Sequence, residues 1–304
     1  MTDLLKKPWF AAVGAILCTA LWGSAYPVIK YSYAQLHIES VADKLAFAGA
    51  RFILAGVMVF AAAWIIRKRP PLIPKERVGG AILYGAVQTG LMYILNYIGV
   101  ANTSATKTSI LTAASAFFAV LAAPLFFKNE RLTALKVIGV ILGFSGIIVV
   151  NTSGLDGGIS FMGEGLVLLA AVLNTAGGFI GKRAAKGCVF EMTAFQLFIG
   201  GLLILAVALL MGAGFVFSAE SVLLTLYLAF VSAAAFSLWT ALLTRHDAGR
   251  ILVFNLLIPI FGAIWSFLIL GERSIFDPMY LVSIALITVG IFLVNYTKSF
   301  QKPL

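Results

Sequence analysis

The chain has 304 residues, of which 61% are apolar and 11% charged, with a mean hydropathy of +1.03 and a formal net charge of +10. No ordinary soluble domain has that balance, so the composition excludes a soluble catalytic or nucleic-acid-binding core and makes the basic excess a question of membrane topology. The sequence reads as a polytopic membrane protein.

A spanning helix needs about 20 mainly apolar residues. The first such run, 9–30, follows Lys6 and Lys7 and imitates a signal peptide at its start, but it outlasts an h-region and further runs follow. Within it Thr19, Trp22, Tyr26 and Lys30 recur at spacings of three, four and four, so they share one face, and Pro27 interrupts the backbone ladder. The second run, 45–66, carries Arg51 about two turns in, where it is expected to snorkel to the outer interface or to pair with Glu39 or Asp43. The third, 78–99, places Tyr84, Gln88 and Asn96 on one face, with Tyr93 and Tyr97 beside them and Gln88 near the midplane. The fourth, 104–127, opens with Lys107 among the hydroxyls of residues 103–112 and contains Pro124. The turn Lys-Asn-Glu-Arg-Leu-Thr (128–133) leads to the fifth run, 134–150, whose Gly139, Gly143 and Gly146 form a small-residue face suited to helix packing.

The sixth run, 163–181, has Asn174, Gly177, Gly178 and Gly181 along one side. The seventh is 192–211. The eighth, 221–243, aligns Ser232, Phe236 and Trp239, and the ninth, 251–270, carries Asn255, Pro259, Gly262 and Ser266, with Pro259 freeing the carbonyl of Asn255. Gly-Glu-Arg-Ser (271–274) then turns the chain into the tenth run, 278–295. The two cysteines, Cys18 and Cys188, suggest neither a disulfide nor a metal site.

The two Glu-Arg stretches expose a duplication. Aligning 129–131 with 271–273 also brings Gly-Ile-Ile-Val-Val-Asn (146–151) onto Gly-Ile-Phe-Leu-Val-Asn (290–295) after a two-residue insertion, and Lys30 and Lys182 end corresponding helices. An odd number of spans per unit inverts the second unit in the membrane. The expected fold is therefore an all-α integral membrane protein of ten transmembrane helices in two inverted-topology five-helix repeats, 1–151 and 152–304. With both termini cytoplasmic, all of the 22 Lys and Arg but five (Lys30, Lys44, Arg51, Lys107 and Arg273) fall on the cytoplasmic side. Each Glu-Arg stretch is read as a structural turn, one at each membrane face.

Together with Leu-Trp-Gly-Ser (21–24), the repeated Glu-Arg turn and the Gly-spaced helix after it resemble the drug/metabolite transporter superfamily, and the ten-helix EamA-type exporters within it, over essentially the whole chain. The resemblance implies a central cavity lined by the first four helices of each unit, with the fifth and tenth peripheral. One departure is visible, since Pro124 aligns with Ser266 and the proline of the second unit, Pro259, lies about two turns away.

All twelve acidic residues fall in loops or at helix ends. A midplane carboxylate is the usual device for binding both a cationic drug and a driving proton. Its absence from the sequence favours a neutral, zwitterionic or weakly anionic solute. The expected function is export of small metabolites, amino acids or related compounds, by alternating access in the cell membrane. The alternative is a proton-coupled antiporter of organic cations, bound by cation-π contacts. An intramembrane lipid-modifying enzyme rests only on His246 and Asp247. The sequence has no phosphate-binding Gly-rich loop, metal-ligand spacing or nucleophile-base-acid set, so no cofactor, metal or enzymatic activity is expected. In the expected site Gln88, Asn174 and Asn255 supply hydrogen bonds, Trp22, Tyr26, Tyr84 and Trp239 supply walls, and Lys107 attracts a carboxylate near the external mouth. Pro27, Pro124 and Pro259 are the expected hinges. The partners are a small solute and the lipid bilayer, with no nucleic acid, and helices 5 or 10 offer a surface for a homodimer.

Overall fold

The computed structural model describes residues 7–68, 70–150, 159–214, 218–272 and 276–296, without the side chains of residues 105, 106 and 150. Arg273, Ser274, Asn151 and the expected boundary between repeats lie outside the described residues. Among those residues every regular element is helical. The helices are α1 (Pro8–Gln35), α2 (Val41–Arg67), α3 (Lys75–Ala101), α4 (Ala105–Phe126), α5 (Ala134–Val150), α6 (Phe161–Ala184), α7 (Val189–Leu210), α8 (Ala219–Leu243), α9 (Ala248–Leu270) and α10 (Pro278–Tyr296).

Nine of these are long and apolar enough to cross a membrane, whereas α5, with 17 residues, is shorter. At about 1.5 Å per residue α5 measures about 26 Å, a few ångströms less than the hydrocarbon layer. The starts of two helices matter for the site. Ser104 caps α4 by accepting a hydrogen bond from the N–H of Lys107 (3.2 Å), and Ser160 caps α6 by accepting from Gly163 (3.0 Å).

Small residues set the closest helix approaches. At α2 and α7, a Cβ on Gly49 would lie 2.8 Å from the backbone nitrogen of Leu205, and one on Gly56 would lie 2.8 Å from the carbonyl of Ala194. The glycine face of α5 is used inside the bundle: a Cβ on Gly139 would meet the carbonyl of Gly290 on α10 at 2.6 Å, and one on Gly146 the carbonyl of Ser283 at 2.9 Å. That face is therefore covered by α10, and a second copy of the chain cannot also use it.

The remaining neighbours form a regular pattern. Helix α1 lies against α8 and α9, α6 lies against α3 and α4, α2 packs on α8, and α3 packs on α7. Apolar side chains on the outer faces are exposed, among them Leu281 and Phe292 of α10 and Leu202 and Leu210 of α7. In lipid the exposure of such faces carries no hydrophobic cost.

Candidate functional site

The interior of the bundle contains a continuous line of aromatic rings. Tyr93 of α3 lies 4.6 Å from Phe52 of α2, Phe52 lies 6.4 Å from Phe236 of α8, Phe236 lies 5.1 Å from Trp22 of α1, and Trp22 lies 5.0 Å from Trp239, measured between ring centroids. These are tilted or edge-to-face contacts, the arrangements aromatic quadrupoles favour. Trp22 is half-buried with its Nε1 unpaired, and Trp239 is buried. Trp22 of α1 thus faces inward, while Tyr26, one turn on, is exposed.

At the Phe52 end of this line stands Arg51, whose guanidinium carbon lies 4.6 Å from the Phe52 ring centroid and 5.9 Å from that of Tyr93. The expected snorkelling or pairing does not occur. Arg51 is only 4% exposed, and its Nε has no hydrogen-bond partner. No carboxylate pairs with it among the described residues. Asp43 is engaged elsewhere, accepting from Ser40 Oγ (2.6 Å) and from the N–H of Gly214 (2.8 Å), while Glu39 is exposed. The reason is geometric: α2 packs against α3 and α8, and the Arg51 guanidinium lies over the rings of Phe52 and Tyr93. The hydroxyls of Tyr26, Tyr33 and Tyr93 lie within electrostatic reach of Arg51. Of these residues Tyr26 has 56% of its surface accessible.

A second polar group joins α3, α6 and α7. Residues 86–91 of α3 form a turn of π-helix, which lets the adjacent Gln88 and Thr89 address different helices. Gln88 Nε2 donates to Asn174 Oδ1 of α6 (2.9 Å), while Thr89 accepts from Gln196 of α7. The Oε1 of Gln88 is buried without a partner, as is the Oδ1 of Asn255. Gln88 fills the space beside Gly177, where a Cβ would lie 2.8 Å from the Gln88 Cβ. Tyr84 lies likewise against Gly181, with its hydroxyl 3.2 Å from Thr240 Oγ1, and is 1% exposed. It packs between helices and presents no accessible wall.

Lys107 is not a free charge. Its ammonium lies 3.0 Å from Glu164 Oε1 of α6, and the same carboxylate accepts from Thr103 Oγ1 (2.7 Å) and from the N–H of Ser160 (2.8 Å). A cavity of about 400 Å³ lies beside the pair, lined also by Ile110, Leu111 and Leu168. At the opposite end Glu130, buried, accepts from Lys182 (2.6 Å) and from the N–H groups of Ala248 (2.7 Å) and Gly249 (3.2 Å), the first residues of α9. Its counterpart Glu272 meets Lys30 at the end of α1, an exposed pair.

Of the expected hinges, Pro259 follows a 3₁₀ segment (Val253–Leu257) that includes Asn255, so α9 changes its winding where the proline removes a donor. The carbonyl of Asn255 is not free as expected but accepts from the N–H of Ile258. Pro27 and Pro124 lie inside unbroken helices. The fold brings Trp22 and Trp239 together, and separately Gln88 and Asn174. Sequence reasoning missed Arg51 as an interior group, and with it Tyr33. The signal was available in the spacing of Tyr26, Tyr33, Tyr93 and Tyr97, but only tertiary packing joins those residues to Arg51.

The profile of the EamA-like transporter family matches the chain over residues 9–152 and 161–296. A probable amino-acid metabolite efflux pump of Salmonella typhimurium is 28% identical over 292 residues, covering 92% of each chain. An uncharacterised transporter of Bacillus subtilis is 26% identical over 97% of this chain and 89% of its own. The S-adenosylmethionine/S-adenosylhomocysteine transporter of Chlamydia muridarum is 23% identical over 93% of this chain and 90% of its own. A solved crystal structure superposes with a TM-score of 0.77 at 16% identity, over 93% of this chain and 97% of that one, a likeness of fold alone.

Proposed function

Because the chain belongs to the EamA-like transporter family, it is a multi-pass membrane protein that moves small molecules, and we propose that its solute is an amino acid or related metabolite, exported by alternating access. The observation that carries this reading is the polar content of the interior. Gln88 and Asn255 each retain an unpaired amide oxygen, suited to accept from an amine, next to helices that carry an aromatic wall. The resemblance to a probable amino-acid metabolite efflux pump supports the same class of solute.

We read the ten helices as two five-helix units, 1–151 and 152–304, of opposite orientation. The neighbour pattern supports this, because adding five to each helix number turns α1–α9 into α6–α4, α1–α8 into α6–α3 and α2–α8 into α7–α3, and leaves α2–α7 and α5–α10 unchanged. The pairs Lys182–Glu130 and Lys30–Glu272 exchange in the same way. Under this reading the buried Glu130 contact closes the cytoplasmic end of the bundle, and the end near Tyr26 and Lys30 is open. Rocking of the units reverses that relation. The positive-inside bias supports cytoplasmic termini in a cell membrane.

A proton-coupled antiporter of organic cations fits less well, because an interior arginine repels cations, and the acidic side chains within the helices lie in first turns. The test is uptake of labelled amino acids, nucleosides and quaternary ammonium compounds into proteoliposomes, with and without a proton gradient. Saturable amino-acid flux is the expected result. Gradient-driven flux of the cations alone overturns the reading in favour of the antiporter.

A further inference from the structure

We infer that Arg51 is the receptor for a carboxylate on the solute, so that the site takes a monocarboxylate with an apolar body, its charged end on the guanidinium and its body along Phe52, Phe236, Trp22 and Trp239. The inference rests on the transport reading above and narrows it to a solute class.

The argument starts from how the other cations are matched. Lys107 has Glu164, Lys182 has Glu130, Arg67 has Glu191 and Lys30 has Glu272. Buried Lys136 lies within the electrostatic reach of Asp247 and Glu130. Arg51, at 4% exposure, has no carboxylate among the described residues. A buried charge without a partner is disfavoured far more than a paired one. Its contacts with Phe52 and Tyr93 are with ring faces, which spend none of the guanidinium donors, and its Nε is unpaired in the interior. The buried Oη of Tyr33 lies within reach of the Arg51 charge, beside Tyr97. A planar two-oxygen acceptor completes this donor set: the guanidinium fork takes a carboxylate in two parallel hydrogen bonds, and a tyrosine hydroxyl adds a third.

Access and fit follow from the neighbours. Tyr26, within reach of the same charge, has 56% of its surface accessible, so open surface lies within electrostatic range of the guanidinium. Beyond Phe52 the rings continue to Trp239 without a charged side chain among them. Among the described residues Arg51 is the one cation beside these rings, which suits a single negative charge better than the dianion of inorganic phosphate.

The experiment uses the purified full-length protein in lipid nanodiscs, with melting temperature and intrinsic tryptophan fluorescence as readouts. The probes are leucine, 4-methylpentanoate, leucinamide, isoamylamine and inorganic phosphate. Leucine and 4-methylpentanoate are expected to raise the melting temperature and quench the fluorescence, and the other three to act at least about tenfold more weakly. Arg51→Lys keeps the charge and loses the fork. It is expected to fold and to lose roughly tenfold or more of the carboxylate affinity, which keeps the test valid if Arg51→Gln does not fold. Equal affinity for leucine and leucinamide, a response to phosphate alone, or unchanged leucine affinity in either variant overturns the assignment. So does silence toward both carboxylates, and if the protein still moves other solutes in liposomes the transport reading survives. Carboxylate binding that depends on Arg51 without any flux strikes the transport reading instead and keeps Arg51 as the receptor.

Discussion

A methyl group added at Gly181 would lie 2.6 Å from the phenol carbon of Tyr84, which is itself 1% exposed and held at Thr240. Nothing flexible can yield there, so Gly181→Ala is expected to destabilise the protein by about 1–3 kcal/mol, whereas Gly79→Ala, which meets nothing within 4 Å, is expected to be nearly neutral. Thermal unfolding of the two variants in detergent checks the difference. Lys107 and Glu164 are a second test at this scale. The pair is largely enclosed, so a double-mutant cycle of Lys107→Gln and Glu164→Gln should return a favourable coupling, read as a smaller loss of melting temperature in the double variant than the two single losses summed. An unchanged solute affinity in Lys107→Gln removes that residue from the binding site. Its hydroxyl surroundings were legible in the sequence because they are neighbours in the chain. That Glu164 would take up its charge was not, because α6 begins far away in sequence. Arg51 was misread for the same reason, since its distance from the helix end is local information and the helices that bury it are not.

Among the elements, α3 departs furthest from a regular helix. Its π-helical turn is what lets Gln88 reach Asn174 while Thr89 meets Gln196. Gln88→Leu leaves Asn174 without its donor and is expected to cost about 1–3 kcal/mol, as is Asn174→Leu, while the double variant costs less than the two together. Melting temperatures of the three variants decide this, and strict additivity would mean that the two side chains act independently. The all-helical character was legible, and nine of the ten expected spans are long and apolar enough to cross a membrane, because long apolar runs between short polar turns leave the chain few alternatives in a bilayer. The shortness of α5 was legible too, as the run 134–150 is the shortest of the set. The π turn was not, because nothing in the composition of residues 86–91 distinguishes it from ordinary helix. Packing against α6 and α7 selects it. The 3₁₀ segment before Pro259 was partly readable, since proline announces which backbone bond is lost.

At the scale of the molecule, two of the charge pairs between distant helices occupy equivalent positions in the two halves, one buried at Glu130 and one exposed at Glu272. Glu130 holds the turn before α5, the end of α6 and the start of α9 at once. Glu130→Ala should therefore loosen that end, seen as roughly tenfold or faster maleimide labelling of a cysteine placed at Ala248, which is fully buried. Glu272→Ala should leave that labelling unchanged, and equal effects of the two variants would show that the ends are not independent. Raising salt should weaken the exposed pair and spare the buried one. The contact between α5 and α10 has a further consequence, for biosynthesis. The glycine face of α5 is complementary to a helix about 150 residues downstream, which at about 5–20 residues per second emerges roughly 8–30 seconds later. Through that interval the nascent first half sits in the bilayer with a backbone groove filled only by lipid, and the arrival of α10 closes it.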